Sequence, residues 1–211
     1  MKIISVNVGV PQEVTFQGKE ISTSIFKSPV DGSVMVRKLN LDGDKQADLR
    51  VHGGVAKAVY AYPQQHYAGW KQDFPQHEFP TAVFGENLTI DGLDETTVHI
   101  GDRFQAGECE LQATQPRFPC FKLGIRFGDP TMIRHFLRRN QPGVYFSVVK
   151  EGLVQVEDSL TLLKKSDSQL TITDIVRLYT IDKDDKAGIE AAANDPYLPE
   201  DWRKYFAKKL K

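Results

Sequence analysis

Along the first sixty residues the apolar side chains come in short alternating runs, not in helical stripes. KIISVNVGV, QEVTFQG and EISTSIFKSPV are rich in β-branched and aromatic residues, with turns signalled by Gly18-Lys19 and Val30-Asp31-Gly32. SVMVRKL follows the Asp31-Gly32 turn and sets Val34 and Val36 on one face, with Lys38 in phase. LDGDKQADLRVHGGVAKAVYAY opens as a glycine-punctuated loop and closes as a buried strand, AVYAY. Pro63 then starts a predicted helix, PQQHYAGWKQDF, in which Tyr67, Trp70 and Phe74 recur at helical spacing. Beyond Pro75 and Pro80, TVHIGDRFQAG and ECELQATQP read as a hairpin reversing near Gly107. DPTMIRHFLRRN predicts a second helix capped by Asp129, with Pro130 in its first turn and Ile133, Phe136 and Leu137 facing inward. Gly143 leads into two more strands, VYFSVVK and LVQVED. Eight or nine short strands with two inserted helices predict a mainly β fold, a closed barrel or barrel-like sandwich and not a parallel sheet.

Near residue 165 the pattern becomes helical. Ile172, Ile175, Val176 and Tyr179 form a stripe behind a Thr171 cap, and a second helix runs from Asp185 to Asn194, where Asp195-Pro196 stops it. A third starts at Pro199, carries Trp202, Tyr205 and Phe206, and ends in Lys208, Lys209 and Lys211, cations that suit a helix C-terminus. Helices this short do not bury their stripes alone, so they form a small bundle or pack on a neighbour. The expected division is a β domain over 1–164 and a three-helix domain over 165–211. The Trp202, Tyr205 and Phe206 face either closes that bundle or meets a second copy, so a homodimer stays open.

Composition narrows the function classes. Twenty-seven basic against twenty-eight acidic residues give a net charge of −1, which does not suggest a nucleic-acid binder. No apolar run approaches the ~20 residues of a membrane helix, and the amino-terminal MKIISVNVGVPQEV is not a signal peptide, so a cytoplasmic location is expected. Two cysteines make no disulfide framework. Cys109 alternates with Leu111 and Ala113 and reads as a buried strand residue.

Cys120 has different company. In TQPRFPCFKLGIR, residues 114–126, Pro116 and Pro119 predict an extended, stiff edge or loop that presents Arg117, Cys120 and Lys122. In such a chain Cys120 and Lys122 point the same way, and neighbouring cations favour the thiolate, the form that attacks or binds soft metals. A purely structural cysteine is the alternative. In residues 43–63, Asp44, Asp48 and His52 are four apart, but Gly43, Gly53 and Gly54 break any helix that would align them for zinc. His52 lies either at the mouth of a tight loop or in a turn that it bonds itself. Lys57, expected in the adjoining strand between two alanines, must reach solvent or an anion. Asn87, in FGENLTIDGL, offers a paired donor and acceptor for a heterocycle edge, or simply forms a turn. His66, His77 and His99 have no partner at metal spacing and read as structural, and GIRFGDP lacks the residues of a phosphate loop.

Taken in order, GDKQAD-LRVHGG-VAKAVYAYP, FGENLTIDGL, IGDRF, TQPRFPCFKL and VYFSVV resemble the MOSC family, and its YiiM-like branch in particular, over about residues 40–150. The helical tail is similar to that branch's extension. The resemblance implies a MOSC β-barrel that binds the molybdenum cofactor, molybdopterin, with Cys120 ligating the metal. Arg117, Lys122 and Lys57 are then candidates for its phosphate, Asn87, Thr114 and His52 for the pterin edge or the substrate, and Tyr145 and Ser147 are further candidates. For that branch the resemblance implies reduction of N-hydroxylated compounds such as 6-hydroxylaminopurine, and a nearby acid such as His52 is a candidate to protonate the leaving oxygen. No flavin, haem or iron–sulfur motif is present, so electrons are expected from a separate reductase. The alternative from another class is a carrier that holds cofactor or a persulfide on Cys120 without catalysis. A cysteine hydrolase using Cys120 and His52 lacks a third member to orient the base.

Overall fold

The alternating runs become strands in a computed structural model that describes residues 1–48 and 53–210. Among the described residues there are twelve: β1 (Lys2–Val8), β2 (Gln12–Phe16), β3 (Lys19–Thr23), β4 (Ser28–Pro29), β5 (Val34–Val36), β6 (Val59–Pro63), β7 (Leu88–Asp91), β8 (Arg103–Ala106), β9 (Cys109–Pro116), β10 (Val144–Lys150), β11 (Gly152–Val154) and β12 (Leu160–Lys164). Eight of them form one sheet in the order β12-β8-β9-β10-β6-β7-β1-β4. All neighbouring pairs described are antiparallel except β6 with β7. β1, next to one end of this sheet, also bonds to the chain entering the other end. Ile3 N donates to Asp158 O, Glu157 N to Ile3 O and Leu160 N to Met1 O, each at 2.9 Å, so β1 is stitched to the segment entering β12. The sheet therefore curls into a barrel-like shape, which leaves few open edges for other chains to extend. The expected β8–β9 hairpin is present, with Gly107 at φ 52 in its turn.

Among the described residues six α-helices accompany the strands: α1 (His66–Asp73), α2 (Phe121–Phe127), α3 (Met132–Arg139), α4 (Ile172–Thr180), α5 (Lys186–Asn194) and α6 (Glu200–Lys209). Three local expectations need correction. Pro63 closes β6, and the helix it was expected to open starts at His66. The segment after Arg117 is not extended throughout. Cys120 is extended, at φ −114 and ψ 177, but it is the N-cap of α2, because Pro119 lies outside the helix and obstructs none of its bonds. Pro116, for its part, sits at the last position of β9 opposite Val144, where the ladder is ending. Lys57 belongs to a single 3-10 turn, Val55–Lys57, and not to the strand that follows. β12 was not foreseen. It is an edge strand whose residues after Leu160 are exposed, so it carries no inward apolar repeat.

The tail follows its sequence closely. Thr171 Oγ1 accepts from Asp174 N at 3.2 Å while Asp174 Oδ2 accepts from Thr171 N at 2.9 Å, a reciprocal cap that starts α4. Asp185 caps α5 through Gly188 N at 3.0 Å. Ile172, Ile175, Leu178, Ile189, Leu198 and Phe206 are buried in the same apolar cluster as Leu111 and Ala113 of β9 and Ile100. The helices thus cover one side of the barrel, each large side chain gaining about 1.5–3 kcal/mol from burial. A second cluster, with Tyr62, Trp70, Phe84 and Phe136 at its centre, lies under α1 and α3. Among the described residues no helix is long and apolar enough to cross a membrane. Cys109 is buried in β9 as expected, and burial pushes its thiol up to about 12.

Candidate functional site

Where β9 ends, the chain leaves the barrel wall and turns into α2, and this corner builds a cleft. Arg117 is the first residue past the strand. Its guanidinium is buried between aromatic faces, 5.2 Å from the Tyr60 ring centre and 5.1 Å from that of Phe136. Burial works against its charge, but the facing Tyr60, Tyr145, Cys120 and Glu86 hold its pKa above the usual value. Its Nη1 is buried and has no hydrogen-bond partner among the described residues. Phe118 and half-buried Cys120 follow, and the first turn of α2 adds Lys122. Opposite them stand Lys57, Tyr60 and Tyr145, with Asn87 deeper in the wall. The open cavity between them encloses about 660 Å³, its mouth included.

Six residues singled out from sequence, Cys120, Arg117, Lys122, Lys57, Asn87 and Tyr145, therefore converge on one cleft. Lys122 reaches it from a helix, and not along the extended chain expected. Asn87 has both ends of its amide engaged: Oδ1 accepts from Tyr60 N at 3.1 Å, and Nδ2 donates to Asp44 Oδ2 at 3.0 Å. It shapes the wall. Thr114 and Ser147 are not among the described residues lining the cleft. Thr114 Oγ1 lies 2.6 Å from Ala56 O and 2.9 Å from Tyr145 O, so it straps the Lys57 turn to β10. Ser147 Oγ is 3.5 Å from Gln112 O on the neighbouring strand. His52 lies outside the described residues.

Lys27 escaped the sequence reading, which weighed Asp44 only as a zinc ligand. Lys27 and Asp44 form a buried ion pair in the cleft wall. Asp44 also accepts from Gly9 N at 2.8 Å, so its charge is consumed by three donors including Asn87. Burial lowers the pKa of Lys27 against the opposing pull of Asp44. Burial likewise lowers that of Lys57, against a pull from Asp201 at the start of α6. Burial raises the Tyr60 and Tyr145 hydroxyls, which stay protonated at neutral pH. Behind the cleft, the Glu86 carboxyl is buried with its pKa raised by desolvation, and it accepts from Tyr67 Oη and, at 3.1 Å each, from Ala82 N and Thr89 Oγ1.

The histidines read as structural are placed accordingly. His66 Nε2 is 2.9 Å from Glu95 Oε2, His77 Nε2 is 3.4 Å from Asp129 Oδ2, and His99 Nδ1 is 3.0 Å from Thr97 O. Among the described residues no three His, Cys, Asp or Glu side chains gather as a metal cluster. The cleft instead sets a thiol among the cations Lys27, Lys57, Arg117 and Lys122, with Asp44 paired to Lys27.

A family model described as the MOSC domain matches residues 48–161, more than half of the chain. The chain belongs to the MOSC family. A model described as the YiiM-like 3-alpha helix domain matches residues 170–211, which contain α4 to α6 and place this MOSC protein in the YiiM-like branch. It is 39% identical to the YflK protein of Bacillus subtilis over 207 residues, covering 98% of this chain and 93% of that one. The crystal structure of YiiM from Geobacillus stearothermophilus superposes with a TM-score of 0.83 at 32% identity, covering 100% of this chain and 99% of the other. A Gibberella moniliformis protein named "Reductase" is 30% identical over 164 residues, which are 76% of this chain but 29% of the fungal one. MOSC domains are associated with the molybdenum cofactor, and the cleft of this MOSC protein fits that group chemically. It presents a soft sulfur, cations of the sign that suits a phosphate, and in Arg117 Nη1 a buried donor with no acceptor among the described residues.

Proposed function

We propose that this chain binds molybdenum cofactor in the Arg117–Cys120 cleft and reduces N-hydroxylated compounds, hydroxylated purines such as 6-hydroxylaminopurine among them. The observation that carries this reading is the pairing of Cys120 with a buried Arg117 whose Nη1 lacks a partner among the described residues. A buried donor without an acceptor costs stability, and an anionic ligand would remove that cost. Cys120 Sγ would bind the metal, while Arg117, Lys122 and Lys57 would hold the phosphate. When bound, the cofactor supplies the two-electron, oxygen-accepting chemistry. The remaining tasks fall to the protein. Tyr62, Phe84 and Phe136 seal the floor beneath Arg117, which strengthens its charge interactions. The protonated Tyr145 hydroxyl offers a donor at the cleft wall, and His52 is proposed to deliver a proton to the departing oxygen. Overall, R–NHOH, two electrons and two protons give R–NH2 and water. The fungal relative's name, "Reductase", supports the direction of the reaction.

The test is loss of 6-hydroxylaminopurine with cofactor-loaded protein and viologen reduced by dithionite. Turnover by wild type with none by Cys120→Ala is expected. Absent turnover by the loaded wild type, or full turnover by Cys120→Ala, removes the proposal. A thirty-two-dalton adduct on Cys120 without bound pterin would favour a sulfur carrier instead.

A further inference from the structure

On the far side of the cleft wall lies a second concavity, between α3 and the tail helices. Its rim carries Arg134 and Arg138 from α3, Lys183 from the α4–α5 turn and Lys209 from the end of α6. Among the described residues no carboxylate lines it, in a protein whose overall charge is −1. Among the described residues none of the four cations makes an ion pair, and the nearby Asp182 is held by Arg177 at 2.7 Å. Between the cations the surface is apolar. Ile181 is 66% exposed there, beside the face of Tyr179. Exposed apolar surface ringed by one sign of charge is a docking surface for a partner of opposite sign.

The position of this groove identifies the partner's task. Tyr179 lines the groove, and its ring lies 4.8 Å from that of Phe118, edge to face. Phe118 lines the cofactor cleft and stands two residues before Cys120. A single pair of aromatic rings thus separates the basic groove from the wall that bears the thiol. The chain has no flavin, haem or iron–sulfur motif of its own, so its electrons must arrive through some outer surface near that wall.

We propose that the Arg134–Arg138–Lys183–Lys209 groove docks an acidic one-electron carrier protein, a reduced flavodoxin-type flavoprotein, and that the electrons enter past Tyr179 and Phe118. The inference rests on the reductase reading above. Each docked carrier is oxidised by one electron. Two encounters supply the pair that, with two protons, turns R–NHOH into R–NH2 and water. Basic rim residues speed encounter and set orientation, and their effect weakens as salt rises.

The test uses the full chain, a purified acidic flavodoxin as probe, and the exposed quadruple variant Arg134→Glu, Arg138→Glu, Lys183→Glu, Lys209→Glu. Wild type should bind the flavodoxin in low salt and lose it in high salt, and the variant should bind at least about tenfold more weakly. With loaded protein, turnover driven by flavodoxin should fall to a similar degree, while turnover driven by reduced viologen stays at the wild-type rate. No salt-sensitive binding by wild type, or undiminished binding by the variant, overturns the docking site. So does sedimentation showing that the four changes split a dimer, or a loss of binding to a short DNA duplex with flavodoxin binding intact. A loaded wild type inactive even with viologen sinks the reductase reading alone, because the binding measurement does not depend on turnover.

Discussion

Trp202 Nε1 donates to Gln115 Oε1 at 2.7 Å, and through this bond the last helix holds the strand that delivers Arg117 and Cys120. Gln115 is buried, and its Nε2 donates in turn to Ala56 O at 3.3 Å, next to Lys57. The Trp202 ring also packs 5.0 Å from Phe118. The helical tail therefore braces the cleft. Trp202→Phe keeps the ring but leaves Gln115 Oε1 without its donor, which should cost about 1–2 kcal/mol in urea unfolding. An unchanged midpoint would show that the bond contributes nothing.

The two cysteines should differ sharply toward an alkylating reagent. Cys109 is fully buried with its thiol pushed up to about 12, whereas Cys120 opens on the cleft. Folded wild type at neutral pH should take up one label, on Cys120, and Cys120→Ala should take up none. Labelling of Cys109 in the folded chain would contradict its placement in the core.

Cys109 also sets a sign for stability at alkaline pH. Its folded pKa is raised from 9.0 to about 12, so between these values the folded state holds a proton that the unfolded chain has released. Stability from this group is complete below pH 9 and declines as pH rises toward 12, by roughly 1.4 kcal/mol per pH unit. Wild type should therefore lose stability faster than Cys109→Ala across that window. Parallel losses in the two proteins would remove the effect.

Arg117 trades stability for binding. Its buried guanidinium has an unpartnered Nη1, so Arg117→Met, which keeps bulk between Tyr60 and Phe136, should leave the cofactor-free protein equally stable or up to about 2 kcal/mol more stable. Pterin co-purifying with the variant should fall at least about tenfold. A strongly destabilised variant would make Arg117 a structural residue first.

The tail was legible because its signals are local: Thr171 with Asp174, Asp185, and Pro199 ahead of an aromatic stripe. Cys120 and Arg117 were legible because prolines and cations crowd one short segment. α2 was hidden for a physical reason. Pro116 and Pro119 argued against a helix although both lie ahead of its first turn, and Gly124 lowers its helical propensity; a Cβ there would meet Pro130 Cα at 3.0 Å, so the close approach of the following turn favours glycine. Lys27 was missed, and Asp44 was weighed only as a zinc ligand, because a buried ion pair leaves no periodic trace in sequence. The two residues lie 17 apart in loops, and only the fold brings them into contact. Asn87 was read as a donor–acceptor pair for a heterocycle edge or as a turn residue, because its commitment to Tyr60 N and Asp44 depends on neighbours that sequence does not reveal.

The most direct measurement of the central claim is metal and pterin content, with X-ray absorption at molybdenum, on protein isolated anaerobically from molybdate-supplied cells. Wild type should carry close to one molybdenum per chain, with a thiolate sulfur in its coordination shell that is missing from Cys120→Ala. Identical molybdenum content and sulfur coordination in the two proteins would contradict the assignment of Cys120.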